Sequence, residues 1–252
     1  MHKFFVPATN INDNIASIEG EDVKHIHKVL RLKPGEKVSI NNCNGKEYLG
    51  IIDTIDKKLV LVNIIEKLDK NNESQLNIYL YQGFPKSTKM DYIVQKSTEL
   101  GVKHIIPLIT NRVVVKNQNK ESKKIDRWNR IALEACKQCK RSIIPKVYDP
   151  IKFEEAIDQM KSMDLVLVPY ENKYNYGIKS LMKDISEIKD NIKNIAIVIG
   201  PEGGFEESEI KKLQDEKANI ITLGPRIFRT ETAGIVCSSI ILYELGDLGG
   251  IL

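Results

Sequence analysis

The sequence predicts an α/β protein built in two parts, a small β-rich module over residues 1–72 and a larger domain over residues 73–252. Three observations carry this expectation. Residues 38–65 supply β-branched runs broken by Asn42-Cys43-Asn44-Gly45 and by Asp56-Lys57-Lys58, the composition of hairpin turns. From residue 78 onward, short apolar runs at 78–81, 105–109, 165–168, 195–199 and 220–223 alternate with amphipathic segments, as buried parallel strands alternate with helices. Between the two patterns lies a polar stretch, residues 67–75, with no periodicity of its own, and the domain boundary is placed there.

Taken in order, Asp22 is a candidate N-cap for a helix carrying Val23, Ile26, Val29 and Leu30 on one face and stopped by Pro34-Gly35. In the larger part, Met90, Ile93, Val94, Ser97 and Leu100 line a helix that ends at Gly101, and Trp128, Ile131, Ala132, Ala135 and Cys139 line another. A third helix is predicted over residues 206–217 and a long last one over 230–245. With 42% hydrophobic and 29% charged residues in 252, the chain can bury a sizeable core, which excludes wholesale disorder and collagen-like or disulfide-scaffold classes. No apolar run reaches the roughly 18 residues of a membrane span, and the start Met1-His2-Lys3-Phe4-Phe5-Val6-Pro7 is too short for a signal peptide, so a cytoplasmic address is expected. Four cysteines would remain thiols there. The net charge of +4 permits a nucleic-acid partner without requiring one.

The sharpest local signal is Ile199-Gly200-Pro201-Glu202-Gly203-Gly204-Phe205, set between a buried strand and a helix opened by Glu206 and Glu207. Its glycines allow a tight turn and close approach to a ligand. It is neither the dinucleotide fingerprint nor the P-loop, so phosphate is not the natural ligand, and a plain strand-to-helix turn is the alternative. The segment Leu223-Gly224-Pro225-Arg226-Ile227-Phe228-Arg229-Thr230-Glu231-Thr232-Ala233 repeats the arrangement with two arginines, two threonines and a glutamate, more chemistry than a connection needs. Its plainer reading makes Thr230 or Thr232 a helix N-cap. Basic stripes at Lys86, Lys89 and Lys96, and at Arg127, Arg130, Gln138 and Arg141, suit either a solvated face or phosphate contacts, and Arg31, Lys33 and Lys37 add charge to the small module. Cys136-Lys137-Gln138-Cys139 has metal spacing but sits mid-helix without a second cysteine pair, and His25 and His27 point apart on a helix, so no metal is expected. No Gly-x-Ser-x-Gly accompanies the four histidines, and hydrolase chemistry has no support.

Taken together, residues 89–102 (Lys89-Met90-Asp91-Tyr92 through Leu100-Gly101-Val102), residues 134–141 (Glu134-Ala135-Cys136 through Lys140-Arg141), the Gly200 to Gly204 loop and the Leu223 to Ala233 loop resemble the RsmE family of ribosomal RNA uracil-N3 methyltransferases, in order and in spacing. Phe4-Phe5-Val6 and residues 27–35 are similar to that family's small domain. The resemblance implies a carboxy-terminal SPOUT-type domain with a trefoil knot, a rare exception to unknotted topology, and an amino-terminal PUA-like or OB-like β-barrel that recognises RNA. It implies S-adenosyl-L-methionine as cofactor, held by Pro169, Tyr170 and Glu171 after one strand, by Ile199, Gly200, Pro201, Gly203 and Gly204 after the next, and by Leu223, Gly224, Ile227, Phe228, Thr232 and Ala233 after the last. Phe228 stands where members of the family more often carry Leu.

The implied substrate is 16S ribosomal RNA or the small ribosomal subunit, with Lys3, Arg31, Lys33, Lys86, Lys89, Arg112, Arg127 and Arg130 expected to bind it. Methyl transfer to N3 requires alignment of donor and acceptor and removal of the N3 proton. Arg229 and Arg141 are candidates for stabilising charge on uracil, and Glu202 or Glu231 for the base or for orienting those arginines. A homodimer is expected, since the class buries its terminal helix against a second copy, and Ile235, Val236, Ile240, Ile241 and Leu242 give that helix apolar surface beyond one face. A non-catalytic RNA-binding assembly factor is the alternative function. A Rossmann enzyme is disfavoured because the glycine motif falls late in the chain.

Overall fold

The computed structural model describes residues 1–69, 72–86, 88–113 and 121–250. Lys70 and Asn71 of the expected linker lie outside the described residues. The chain forms two compact units, one of residues 1–73 together with 136–144, the other of residues 74–135 and 145–252. The first unit is therefore discontinuous in sequence, with a return segment that the polar boundary at residues 67–75 gave no reason to expect.

The first unit holds a six-stranded sheet of β1 (Lys3–Phe5), β2 (Ile11–Asn12), β3 (Ile15–Glu19), β4 (Lys37–Asn41), β5 (Glu47–Ile55) and β6 (Leu59–Leu68), in the order β1-β4-β5-β6-β3-β2. The pairs are antiparallel except β1 with β4. The predicted hairpin turns fall between β4 and β5 and between β5 and β6. Strand alternation puts Ala16, Ile18, Val38, Ile40, Ile52, Val60 and Val62 into one core with Phe4 and Val6. A short helix, α1 (Glu21–Lys24), runs into a π-helical segment, His25–Leu30, and closes that core with Val23 and Ile26. Two expectations fail here. The N-cap is Gly20, and Asp22 in the first turn instead pairs with Lys137 of the return segment at 2.9 Å. Val29 is exposed, because the π-helical turns rotate it off the apolar face that a 3.6-residue period would have given it.

The second unit is built on parallel strands: β7 (Asn77–Gly83), β8 (His104–Ile109), β9 (Lys146–Val147), β10 (Ile151–Lys152), β11 (Leu165–Pro169), β12 (Asn194–Ile199) and β13 (Asn219–Ile221). Their order is β10-β8-β7-β12-β11-β13, with β9 also beside β8. The central strands are apolar on both faces, as a doubly covered parallel sheet requires. Among the described residues, six further α-helices accompany them: α2 (Lys89–Leu100), α3 (Glu121–Cys139), α4 (Phe153–Met160), α5 (Ile178–Asp184), α6 (Glu207–Asp215) and α7 (Thr230–Leu245). Phe153, Ala156, Ile157 and Met160 of α4, with Ile210 and Leu213 of α6, cover one face over Tyr81, Ile106, Val168 and Val198. Helix α7 lies against β7 and β12 and against α2. Gly101 ends α2 in the left-handed conformation, as predicted.

The last strand ends two residues earlier than predicted, leaving Leu223 in the following loop. Helix α3 ends at Cys139, so Arg141 lies beyond it and does not continue the stripe of Arg127 and Arg130. Lys140, between them, has a φ of 62°, which turns the chain out of the helix. Among the described residues, no helix is long and apolar enough to cross a membrane.

Candidate active site

Three loops of the second unit leave the carboxyl ends of neighbouring parallel strands, the edge where open α/β sheets bind ligands. The loop after β11 is tied to the end of β13: the Tyr170 amide donates to the Ile221 carbonyl at 3.0 Å, and the Thr222 amide to the Tyr176 carbonyl at 2.8 Å. The loop after β12 turns at Gly204, whose amide donates to the Pro201 carbonyl and whose φ is 68°. A Cβ on Gly204 would stand 2.8 Å from Oε1 of Glu171, so the first two loops meet there. Gly203 has no positive φ, and a Cβ there would meet the Arg112 side chain, at 3.3 Å. The third loop reaches the second through Thr230, whose hydroxyl donates to the Gly200 carbonyl at 2.6 Å. Gly224 has a φ of 121° with open space where a Cβ would project, and Ile227 is 82% exposed. Phe228, Thr232 and Ala233 are half-buried beside it.

The N-cap of α7 is Arg229, so neither threonine caps the helix through its side chain. Its carbonyl accepts from the amides of Thr232 and Ala233, both at 2.9 Å. Its guanidinium is exposed and makes no ion pair among the described residues.

A second group of charges stands beside the loops. Lys89, opening α2, lies 3.1 Å from a Glu202 oxygen and 3.3 Å from a Glu231 oxygen. Hydrogen bonding to Glu202 raises the Lys89 ammonium above its ordinary pKa; partial burial opposes this, and Glu231 adds to the rise. Partial burial pulls the Glu202 carboxyl up, but hydrogen bonds from its own amide, from the Lys86 amide and from Lys89 outweigh this and hold it below the usual range. Lys89, one of the expected RNA contacts, is thus engaged by two carboxylates.

A family model described as RNA methyltransferase domain matches residues 72–242, and one described as RNA methyltransferase PUA domain matches residues 18–65. The chain is 35% identical over 254 residues to the ribosomal RNA small subunit methyltransferase E of Bacillus subtilis, covering 99% of each protein. The chain belongs to the RNA methyltransferase family. A ribosomal RNA small subunit methyltransferase E from Neisseria gonorrhoeae, crystallised bound to S-adenosyl methionine, shares 30% identity with a TM-score of 0.83 over 98% of this chain and 99% of that one. A methyltransferase from Legionella pneumophila in complex with the same cofactor shares 34% identity with a TM-score of 0.79, over 98% of both chains.

Within this RNA methyltransferase, Pro169, Tyr170, Glu171, Ile199, Gly200, Pro201, Gly203, Gly204, Leu223, Gly224, Ile227 and Phe228 lie on the three joined loops or at the strand ends that open them. Arg112 joins them, donating to the Gly203 carbonyl at 2.7 Å. Arg127 is largely exposed but is paired with Asp91, whereas Arg130, Lys86, Arg31 and Lys33 face solvent.

Two predicted residues are corrected outright. Arg141 is 4% exposed and its guanidinium is bound to Glu73 at 2.7 Å, both in the first unit, so it is not presented to a substrate. Lys3 is held at 2.6 Å by Glu47, a buried carboxylate that needs a counter-charge, and also donates to the Lys140 carbonyl.

The sequence reading missed Gln82 and Gly83, which close β7. A Cβ on Gly83 would lie 2.3 Å from the Pro201 nitrogen, so the glycine loop rests directly on this backbone. A polar residue followed by glycine at the end of an apolar strand was the available signal.

Proposed function

We infer that the protein transfers a methyl group from S-adenosylmethionine to small-subunit ribosomal RNA, with N3 of a uracil as acceptor. The observation that carries this reading is the convergence of three loops at the carboxyl ends of β11, β12 and β13, in a chain similar over nearly its whole length to small-subunit ribosomal RNA methyltransferases.

The residues present suit the cofactor. Backbone amides and carbonyls of the loops after β12 and β13, the apolar Ile227 and Phe228 and the carboxylate of Glu171 offer surfaces for an adenine, a ribose and a cationic tail. When bound, S-adenosylmethionine supplies an electrophilic methyl group on a sulfonium. The protein's own residues must orient the acceptor and manage one proton. Arg229, exposed at the head of α7, and Lys89, held cationic by its two carboxylates, supply positive charge for an oxygen of the uracil as N3 loses its proton. Glu202 is held below the ordinary range by its donors, which suits it to fixing Lys89 and leaves Glu231 to receive the N3 proton.

The finer features belong to the same reading. A knotted path in the second unit is supported by the way residues 170–177 are tied to Ile221 and Thr222 while the chain beyond them goes on to Gly200 through Thr230. RNA recognition by the first unit rests on Arg31 and Lys33, a homodimer on the half-buried Ile235, Val236 and Ile240 and the exposed Tyr243 of α7, and a cytoplasmic address on the substrate. Ile241 and Leu242, counted above as spare apolar surface, are buried in the subunit itself. Mass spectrometry of ribosomal RNA nucleosides tests the activity: deletion of the gene should remove 3-methyluridine from the small subunit, and an unchanged level overturns the assignment.

A further inference from the structure

Gln82 is fully buried in a strand whose neighbours are apolar, and an uncompensated amide there is costly. Its Nε2 lies 3.2 Å from the Gly83 carbonyl and 2.7 Å from the Thr230 hydroxyl. Because a carbonyl only accepts, the amide nitrogen must be the group facing Gly83, and the Thr230 oxygen then accepts from Gln82. The Thr230 proton is left to go one way, to the Gly200 carbonyl 2.6 Å distant. The relay therefore has a fixed direction, from β7 through the first residue of α7 to the first residue of the glycine loop. Its other amide atom, Oε1, has no hydrogen-bond partner among the described residues, so the side chain is retained at a cost, and that cost is repaid only through Nε2. The surroundings are shaped to it: a Cβ on Gly234 of α7 would come within 3.3 Å of Oε1.

We propose that Gln82 and Thr230 are positioning residues for S-adenosylmethionine: together they hold the Gly200 carbonyl and the turn that follows it in the geometry that receives the cofactor. This rests on the cofactor reading above and adds to it two residues outside the three loops' own backbone. Neither needs to touch the cofactor. The hydroxyl of Thr230 points at a backbone carbonyl, and Gln82 acts one step further back.

The test uses the full-length protein and Thr230→Val, Thr230→Ser and Gln82→Leu. Calorimetric titration of S-adenosylmethionine into the wild type tests the cofactor reading by itself; no binding there overturns that reading and not the relay. Hydrogen exchange of residues 200–204 in the cofactor-free protein reads the relay independently. Thr230→Val should weaken cofactor binding about tenfold, raise the KM for cofactor more than it lowers kcat, and speed exchange in residues 200–204 alone. Thr230→Ser should restore both affinity and exchange to within about twofold, since it keeps the hydroxyl. Gln82→Leu, which replaces the amide with an apolar side chain of similar size, should behave like Thr230→Val. Cofactor affinity and local exchange in Thr230→Val within twofold of wild type, or failure of Thr230→Ser to recover them, overturns the proposal. So does a Gln82→Leu protein whose exchange rises everywhere equally, which would mark a merely structural amide.

Discussion

Gly203 and Gly204 are adjacent and alike in sequence, yet they answer to different constraints. Gly204 combines a φ of 68° with a Glu171 oxygen 2.8 Å from where a Cβ would stand, whereas Gly203 faces only the flexible Arg112 side chain. Gly204→Val should therefore reduce S-adenosylmethionine affinity by about tenfold or more, and Gly203→Ala by no more than about twofold, in calorimetric titrations. Equal losses in the two variants would refute the distinction. The cysteines are separated in a similar way by their surroundings. Burial pushes the thiols of Cys136 and Cys237 up to about 12, the nearby Arg141 only partly opposing it at Cys136. The thiolate is the reactive form, so at pH 8 a disulfide reagent should modify neither in the folded protein and both after denaturation. Rapid labelling of Cys237 in native protein would contradict its placement. Much at this level was legible beforehand: the two glycine-bearing loops stood out because a simple connection needs neither Gly-Gly nor Arg-Thr-Glu-Thr. The partners were not, because Lys89, Glu202 and Glu231 come from three distant places in the chain, and a stripe of helical spacing cannot say which of its cations has already found a carboxylate.

Arg141 shows the same limit on a larger element. Counted along α3 it continues a basic stripe; with the helix ending at Cys139 and Lys140 at a φ of 62°, it turns inward to Glu73. Glu73 also accepts from the amides of Ser142 and Ile143, at 2.7 and 2.9 Å, so one carboxylate organises the whole return segment. Removing one partner of such a pair strands the other charge in the interior. Glu73→Ala should cost about 3–5 kcal/mol in urea unfolding, as should Arg141→Ala, and a double replacement by apolar residues of similar volume should recover much of the loss. A cost under about 1 kcal/mol for either single variant would mean that the pair is more hydrated than its 4% and 3% exposures imply. The strands were easier to foresee than this segment, because alternation and β-branched runs are local properties. A one-residue break in a helix is set by tertiary contacts.

As a whole the molecule forms two compact units, one carrying the mostly antiparallel sheet and the other the parallel one, and the change of hydrophobic pattern after residue 75 reflects that difference. What no local pattern disclosed is that residues 136–144 belong with residues 1–73. This alters how RNA recognition by the first unit should be tested. Deleting residues 1–73 would leave the return segment without its core, so point substitutions are the proper probe. Arg31→Ala with Lys33→Ala, both exposed, should lower affinity for the ribosomal substrate and reduce the slope of log K against log salt by about two; Lys3→Ala, already paired with Glu47, should leave the slope unchanged. An unaltered slope in the double variant removes the first unit from the RNA contact. The discontinuity also bears on how the protein is born. A ribosome releases the amino-terminal strands early, but Glu73 and Asp22 wait for partners encoded as late as Ile143. At about 5–20 residues per second, the stretch between residues 73 and 144 takes on the order of 4–14 s to make. For that interval the nascent chain carries an incomplete β-module whose buried carboxylate is still in water, and the first-made strands must wait for the middle of the chain before their unit can close.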